Sequence, residues 1–163
     1  DLRGKTVAIC GDVAHSRVAR SGALLLEMLG AKVRLAGPST MLPLRSKELG
    51  WDVYNRIEPA IEGADVVMML RIQQERLGAA LFPSLQEYAR VWGLNESRLK
   101  LAKPEAIVMH PGPINRGVEI NEDIADSSRA VILNQVESGV AVRMAVLYLL
   151  ASEQGADLNN LPS

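Results

Sequence analysis

Several absences narrow the reading of this sequence before any motif is considered. One cysteine, Cys10, stands in 163 residues, so no disulfide framework is available, and a chain of this length can bury a sufficient core without one. Cys10 lies in an apolar run and reads as a small core residue of a reducing compartment. Eighteen lysines and arginines face nineteen aspartates and glutamates, for a net charge of −1. That balance lacks the basic surplus that nucleic acid or an anionic membrane surface recruits. No apolar run reaches the roughly 20 residues of a membrane span, and no leader is legible. The expectation is a soluble, cytoplasmic protein with neither nucleic acid nor membrane as a partner. Two histidines in separate turns form no cluster with metal-ligand spacing, so no metal is expected. The segment GDVAHS, Gly11 to Ser16, carries a single glycine, which falls short of a dinucleotide or phosphate loop and weakens a nucleotide-binding dehydrogenase reading. Internal repeats and low-complexity stretches are missing as well. The chain opens at Asp1 and passes straight into DLRGKTVAI, as expected of a piece of a longer chain.

What is present alternates between two periods. TVAIC (Thr6 to Cys10) is apolar on both faces, as a buried parallel strand must be, and Gly11-Asp12 ends it. Ser16 or His15 then opens a helix whose apolar positions are Val18, Gly22, Leu25 and Leu29, closed by Gly30-Ala31. KVRLAGP (Lys32 to Pro38) reads as a second strand, and WDVYN as a brief one between short helices at 44–49 and 56–61. VVMML (Val66 to Leu70) and AIVMH (Ala106 to His110) are further apolar strands, with an amphipathic segment from Ser84 to Trp92 and a helix capped by Asn95 between them. DIADSSRA (Asp123 to Ala130) reads as a capped short helix, and AVILN (Ala130 to Asn134) as a last strand. The longest helix follows, residues 135–152, with a stripe of Val136, Val140, Met144 and Leu147. The tail, 153–163, has no pattern and is expected to fray.

This alternation predicts an α/β, doubly wound, mostly parallel sheet with helices on both faces, Rossmann-like, in a single domain. Ligands of such folds bind beyond the carboxyl ends of the strands. The polar signals fall there: Arg17 after the first strand, Arg71 and Gln73 after VVMML, and His110 to Pro113 after AIVM. Two guanidinium groups and an amide around one crevice suit a small dianion, because arginine grips carboxylates with two parallel, charge-assisted hydrogen bonds. His110, before Pro111, reads as a hydrogen-bonding rather than a proton-transferring residue, and His15 as an exposed turn histidine. Glu75 and Arg76 read as partners that hold the long loop after Arg71. Pattern alone leads to a small anionic ligand and no further.

GDVAHSRVARS, MLRIQQERL, MHPGPINRGVEI and NQVESGVAVRMAVLYLL, in that order and spacing, resemble the C-terminal, aspartate-binding half of the aspartate carbamoyltransferases. The resemblance covers the chain to about Ser152. Ornithine carbamoyltransferases are a poorer match, since a cysteine stands in their strand end where this chain has HPGP. By this resemblance residues 1–152, including the final helix, are an aspartate-binding domain in which Arg17 and Arg71 hold the two carboxylates of L-aspartate and Gln73 helps position its amine. The turn at Gly112 and Pro113, joined by a cis peptide in the family, faces carbamoyl phosphate and the attacking amine. The family's reaction forms N-carbamoyl-L-aspartate and phosphate in pyrimidine synthesis, without active-site metal or organic cofactor. Its full chains are homotrimeric, and regulatory or dihydroorotase-type subunits are further partners within the family. The Ser-Thr-Arg-Thr segment with which the other half binds carbamoyl phosphate does not occur in these residues. The carbamoyl-phosphate domain is therefore expected to be absent from these residues, no catalytic residue is assigned within the chain, and the isolated chain is expected to be inactive, with the apolar stripe of its last helix exposed, swapped or covered by a partner. The alternative is a non-catalytic dicarboxylate-binding or assembly module on the same fold.

Overall fold

The structure, a computed structural model, describes residues 2–43, 50–72 and 84–153. Five strands, β1 (Thr6–Cys10), β2 (Lys32–Ala36), β3 (Asp52–Tyr54), β4 (Val66–Met69) and β5 (Ile107–Met109), form one sheet in the order β3-β2-β1-β4-β5. Every pairing is parallel. The α/β reading of the alternating sequence is therefore what the chain adopts. Helices α1 (Arg17–Met28), α2 (Ile57–Ile61), α3 (Leu85–Trp92), α4 (Glu96–Leu99) and α5 (Glu122–Ala125) connect and follow the strands, and α6 (Ile132–Glu153) closes the described chain. Two compact units result, the α/β unit through Ile132 and the helix from Leu133 onward.

The central strands β1 and β4 are almost wholly apolar because both faces of the sheet are covered there, whereas β2 and β3 carry Lys32, Arg34 and Asp52. Side chains alternate between two cores. Ala8, Cys10, Val67, Met69 and Val108 pack with Ile57, Ile61, Tyr88, Trp92 and Leu99 on one face. Val7, Ile9, Val33, Leu35, Met68 and Leu70 pack with Ala19 and Ala23 of α1 on the other. Cys10 is fully buried, and its apolar surroundings push the thiol up to about 12. At that value it stays protonated and unreactive at neutral pH.

Two expectations are corrected. The apolar stripe assigned to α1 does not face the sheet: Val18, Leu25 and Leu29 are 44–56% exposed, and the buried residues are Ala19 and Ala23. Small side chains let the helix approach the sheet closely, while the larger ones occupy the outer face. A reading that seeks the bulkiest period selects the wrong side. AVILN, expected as a strand, makes only a single bridge, Val108 to Ala130, before α6 begins at Ile132. Its β-branched residues carry only a weak preference, and the 3.6-residue pattern of the following segment extends back over them. The helix expected at 44–49 lies outside the described residues, as do Glu75, Arg76 and the tail from 154. The remaining segments fold near their expected positions, with Ser84 and Asn95 capping α3 and α4 through their side chains, except that α5 begins at Glu122, before Asp123, and has no side-chain cap.

The strand order has one consequence for function. From β1 the chain moves outward through β2 to β3, then returns to lay β4 on the other side of β1, pairing Cys10 with Met69. The segments leaving β1 and β4 therefore diverge from adjacent points, and a crevice opens between them at the carboxyl edge. Gly11 and Gly37 allow the β1 and β2 ends to close beneath it. Gly11 donates its N–H to the Ala36 carbonyl at 2.8 Å, and a Cβ on Gly37 would collide with the Gly11 carbonyl oxygen.

Candidate functional site

A cleft of about 310 Å³ occupies this crevice. The β1–α1 turn supplies Asp12, His15, Ser16 and Arg17, the end of β4 supplies Arg71, and the turn after β5 supplies Pro111, Gly112 and Pro113. Three segments far apart in sequence thus meet on one rim, Arg17 and Arg71 among them. Gln73 lies outside the described residues. The peptide between Gly112 and Pro113 is cis.

Each segment is held by local chemistry. Ser16 caps α1, its hydroxyl accepting the Ala19 N–H at 3.1 Å, so Arg17 is the first helical residue at the cleft. The positive end of the helix backbone adds to the guanidinium charge there. Asp12, 2% exposed, accepts the N–H of His15 at 3.3 Å and its Nδ1–H at 2.8 Å. A buried carboxylate therefore fixes the ring of His15 at the cleft wall. His15 is exposed in its turn, as read from the sequence, and also lines the cleft; Asp12 was passed over, although the Asp-x-x-His spacing at a strand end was an available signal.

His110 is fully buried, and its Nδ1 accepts the Gly112 N–H at 2.9 Å, which assigns the proton of the neutral ring to Nε2. Burial, and then the charge of Arg71, lowers its pKa to about 4. The ring is neutral at pH 7 and shapes the turn carrying Pro113, which agrees with the hydrogen-bonding role read from the sequence.

Glu119 was not singled out by the sequence, although it is fully buried. One carboxylate oxygen accepts the Ile72 N–H at 2.7 Å and Asn115 Nδ2–H at 2.6 Å, and the other accepts the Asn115 N–H at 2.9 Å. Asn115 Nδ2 also donates to the Ile72 carbonyl at 3.1 Å. Burial raises the carboxyl pKa against these bonds, which favour the ionised form. Nothing in the VEIN pattern separates such a glutamate from a solvated one. Asp12, His110 and Glu119 are the buried polar or charged residues among those described, and all three lie at the carboxyl edge. Groups of three or more His, Cys, Asp or Glu side chains able to hold a metal ion are absent among the described residues.

The sheet order and the crevice define a doubly wound α/β domain with two arginines at its topological switch point, a lining that suits a small anion. Comparison with known proteins carries this further. The family model for the aspartate/ornithine carbamoyltransferase Asp/Orn binding domain matches residues 3–150, and the chain belongs to that family. It is 65% identical over 152 residues to the aspartate carbamoyltransferase catalytic subunit of Sorangium cellulosum, covering 93% of this chain and 47% of that protein. The corresponding subunit of Syntrophotalea carbinolica is 62% identical over 150 residues, with 92% and 48% covered. Among solved structures, ornithine carbamoyltransferase from Pyrococcus furiosus superposes with a TM-score of 0.73 at 26% identity, over 90% of this chain and 49% of that one. The ornithine carbamoyltransferase of Gloeobacter violaceus gives 0.73 at 25%, over 90% and 51%. The chain spans about half the length of the curated relatives it matches, corresponding to their C-terminal half.

Proposed function

We propose that the chain is the L-aspartate-binding half of an aspartate carbamoyltransferase, with Arg17 and Arg71 as the clamps for the two carboxylates. The observation that carries this reading is the meeting of those arginines around one cleft with the Gly112–Pro113 turn. A guanidinium on each side fits a short diacid, each making paired charge-assisted bonds to one end. An ornithine side chain, which is cationic, would meet like charge there. Gln73, by its place in the family motif, helps orient the amine.

In the reaction the aspartate amine attacks the carbamoyl carbon. The new C–N bond forms as the bond from that carbon to the phosphate oxygen breaks, the amine gives up a proton, and N-carbamoyl-L-aspartate and phosphate leave. This chain's part is to bind and orient the diacid, and the turn at Pro113 presents backbone carbonyls to the reacting amine. The groups that stabilise charge on the carbamoyl oxygen and the departing phosphate come from sequence outside these residues, since no Ser-Thr-Arg-Thr segment is present. By itself the chain is inactive. Joined to its carbamoyl-phosphate-binding half it works in pyrimidine synthesis in the cytoplasm, as a homotrimer.

The test is reconstitution. The chain is fused behind the N-terminal half of the Sorangium cellulosum subunit, and carbamoyl aspartate formation is measured for the fusion and for the chain alone. Activity in the fusion and none in the chain is expected. A folded fusion that binds succinate but transfers no carbamoyl group would favour a binding module instead.

A further inference from the structure

Glu119 and Asn115 hold a residue that does not itself line the cleft. Ile72 is fully buried and directly follows Arg71, and both polar groups of its backbone are held from 43 to 47 residues away, the N–H by Glu119 and the carbonyl by Asn115. Asn115 in turn follows Pro113 by two residues and is bound to Glu119 through both its backbone and its side chain. One buried carboxylate and one amide therefore join the backbone that carries Arg71 to the turn that carries Gly112 and Pro113.

A buried carboxylate is a costly way to close a loop, because apolar side chains of the same volume do so without a desolvation penalty. What a bonded carboxylate adds is a single arrangement: three donors converging on two oxygens leave little freedom for register or spacing. Arg71 is restrained from the other direction by β4, whose last residue, Met69, is paired to Cys10. The geometry points to Glu119, together with Asn115, as a positioning residue that sets the distance between the Arg71 clamp and the Pro113 turn, and so between the bound diacid and the point of amine attack. This role rests on the reading that Arg71 holds a carboxylate of aspartate.

Displacement of a reacting group by about an ångström can cost on the order of a hundredfold in rate, so the effect is expected in aspartate use rather than in folding alone. In the reconstituted fusion, Glu119→Gln keeps an oxygen for Ile72 but sets an amide N–H against the Asn115 N–H. Asn115→Ala releases the Ile72 carbonyl and leaves Glu119 in place. Each variant is expected to raise KM for aspartate roughly tenfold and to lower kcat, while KM for carbamoyl phosphate changes less than twofold. In Glu119→Gln, amide hydrogen exchange should show Asn115 losing protection, with β1 and β4 unchanged. Glu119→Leu is the harsher variant, and if it fails to fold, the Gln and Ala variants decide. Folded Gln and Ala variants that keep the wild-type KM for aspartate would overturn the positioning role alone. An unmutated, folded fusion that neither binds succinate nor forms carbamoyl aspartate would overturn the functional reading and this inference with it.

Discussion

The two ends of the sheet hold the same kinds of charged group in opposite arrangements. At the amino end, Asp65, placed just before β4, accepts Lys103 Nζ at 2.9 Å, Lys5 Nζ at 3.2 Å and the Thr6 N–H at 2.9 Å. Cation and anion satisfy each other there, beside a mainly apolar cavity of about 420 Å³ that Lys5, Asp65 and Lys103 help to line. At the carboxyl end two buried carboxylates engage backbone N–H groups, an imidazole and an amide. Asp12 is bound by His15, and Glu119 by Ile72 and Asn115. The negative charge there fixes backbone and imidazole, while Arg17 and Arg71 line the cleft. The two ends thus differ in placement: at one the carboxylate meets lysines, and at the other two arginines line a cleft with the Gly112–Pro113 turn.

Removing the cleft arginines is the strongest way to break that contrast. In the reconstituted fusion, Arg71→Ala is expected to abolish measurable succinate affinity, read by calorimetry. Charge-assisted bonds are worth about 1.5–3 kcal/mol each, so two lost together exceed a hundredfold. Arg71→Lys keeps the charge and loses the fork, and should recover only part of the affinity. Arg17→Ala should weaken binding by roughly tenfold or more on the same grounds. Lys103→Ala, at the opposite end, should leave affinity unchanged. Equal losses from Lys103 and Arg71 would show that net charge, not placement, holds the diacid.

A second way to separate the ends is by pH. His110 is held at about 4 by burial and then by Arg71, whereas an unfolded imidazole takes its proton near 6.5. Below that value the unfolded chain binds a proton the fold refuses, so stability falls as pH drops from 6.5 toward 4 and levels off beneath. The full change is roughly 3 kcal/mol. Urea midpoints between pH 7 and 4 should show this slope, and His110→Asn, which offers an oxygen to Gly112 but no titration, should flatten it. An unaltered slope in the Asn variant would assign the acid sensitivity elsewhere.

The sheet and the rim were legible in the sequence for a common reason. Strands covered on both faces must be apolar throughout, and the residues just past them must be polar wherever the edge is open, so TVAIC-GD, VVMML-R and AIVMH-P mark both the strands and their ends. Arg17, Arg71 and the HPGP turn followed from that rule. Side-chain direction did not: α1 carries apolar residues on two faces, and the smaller face is the one buried. Asp12 and Glu119 escaped because a buried acid and a solvated acid have the same composition, and only the backbone brought in by the fold tells them apart. Between Ala130 and Ile132 the local β preference yielded to the period of the longer helix. That helix is apolar nearly all round, with Leu133, Val140, Met144, Tyr148 and Leu149 exposed, and such a helix calls for burial that its own unit does not supply. It is not long and apolar enough to cross a membrane.

The smallest expected effect belongs to the amino end. Lys103, then the Thr6 N–H and Lys5, hold Asp65 at about 2. A free aspartate titrates near 3.9, so its contribution is complete above pH 3.9 and is lost as pH falls toward 2, well below the window of His110. The lysine partners are about half exposed, at 57% and 48%, and water and salt screen such pairs strongly. Asp65→Asn is therefore expected to cost about 1 kcal/mol at neutral pH, less in 0.5 M salt, and to leave succinate affinity untouched. Melting temperatures of wild type and variant at two ionic strengths measure it. If the loss persists unscreened in high salt, the Thr6 N–H bond rather than the lysines holds the residue, by the same backbone-directed chemistry that Glu119 uses at the carboxyl end.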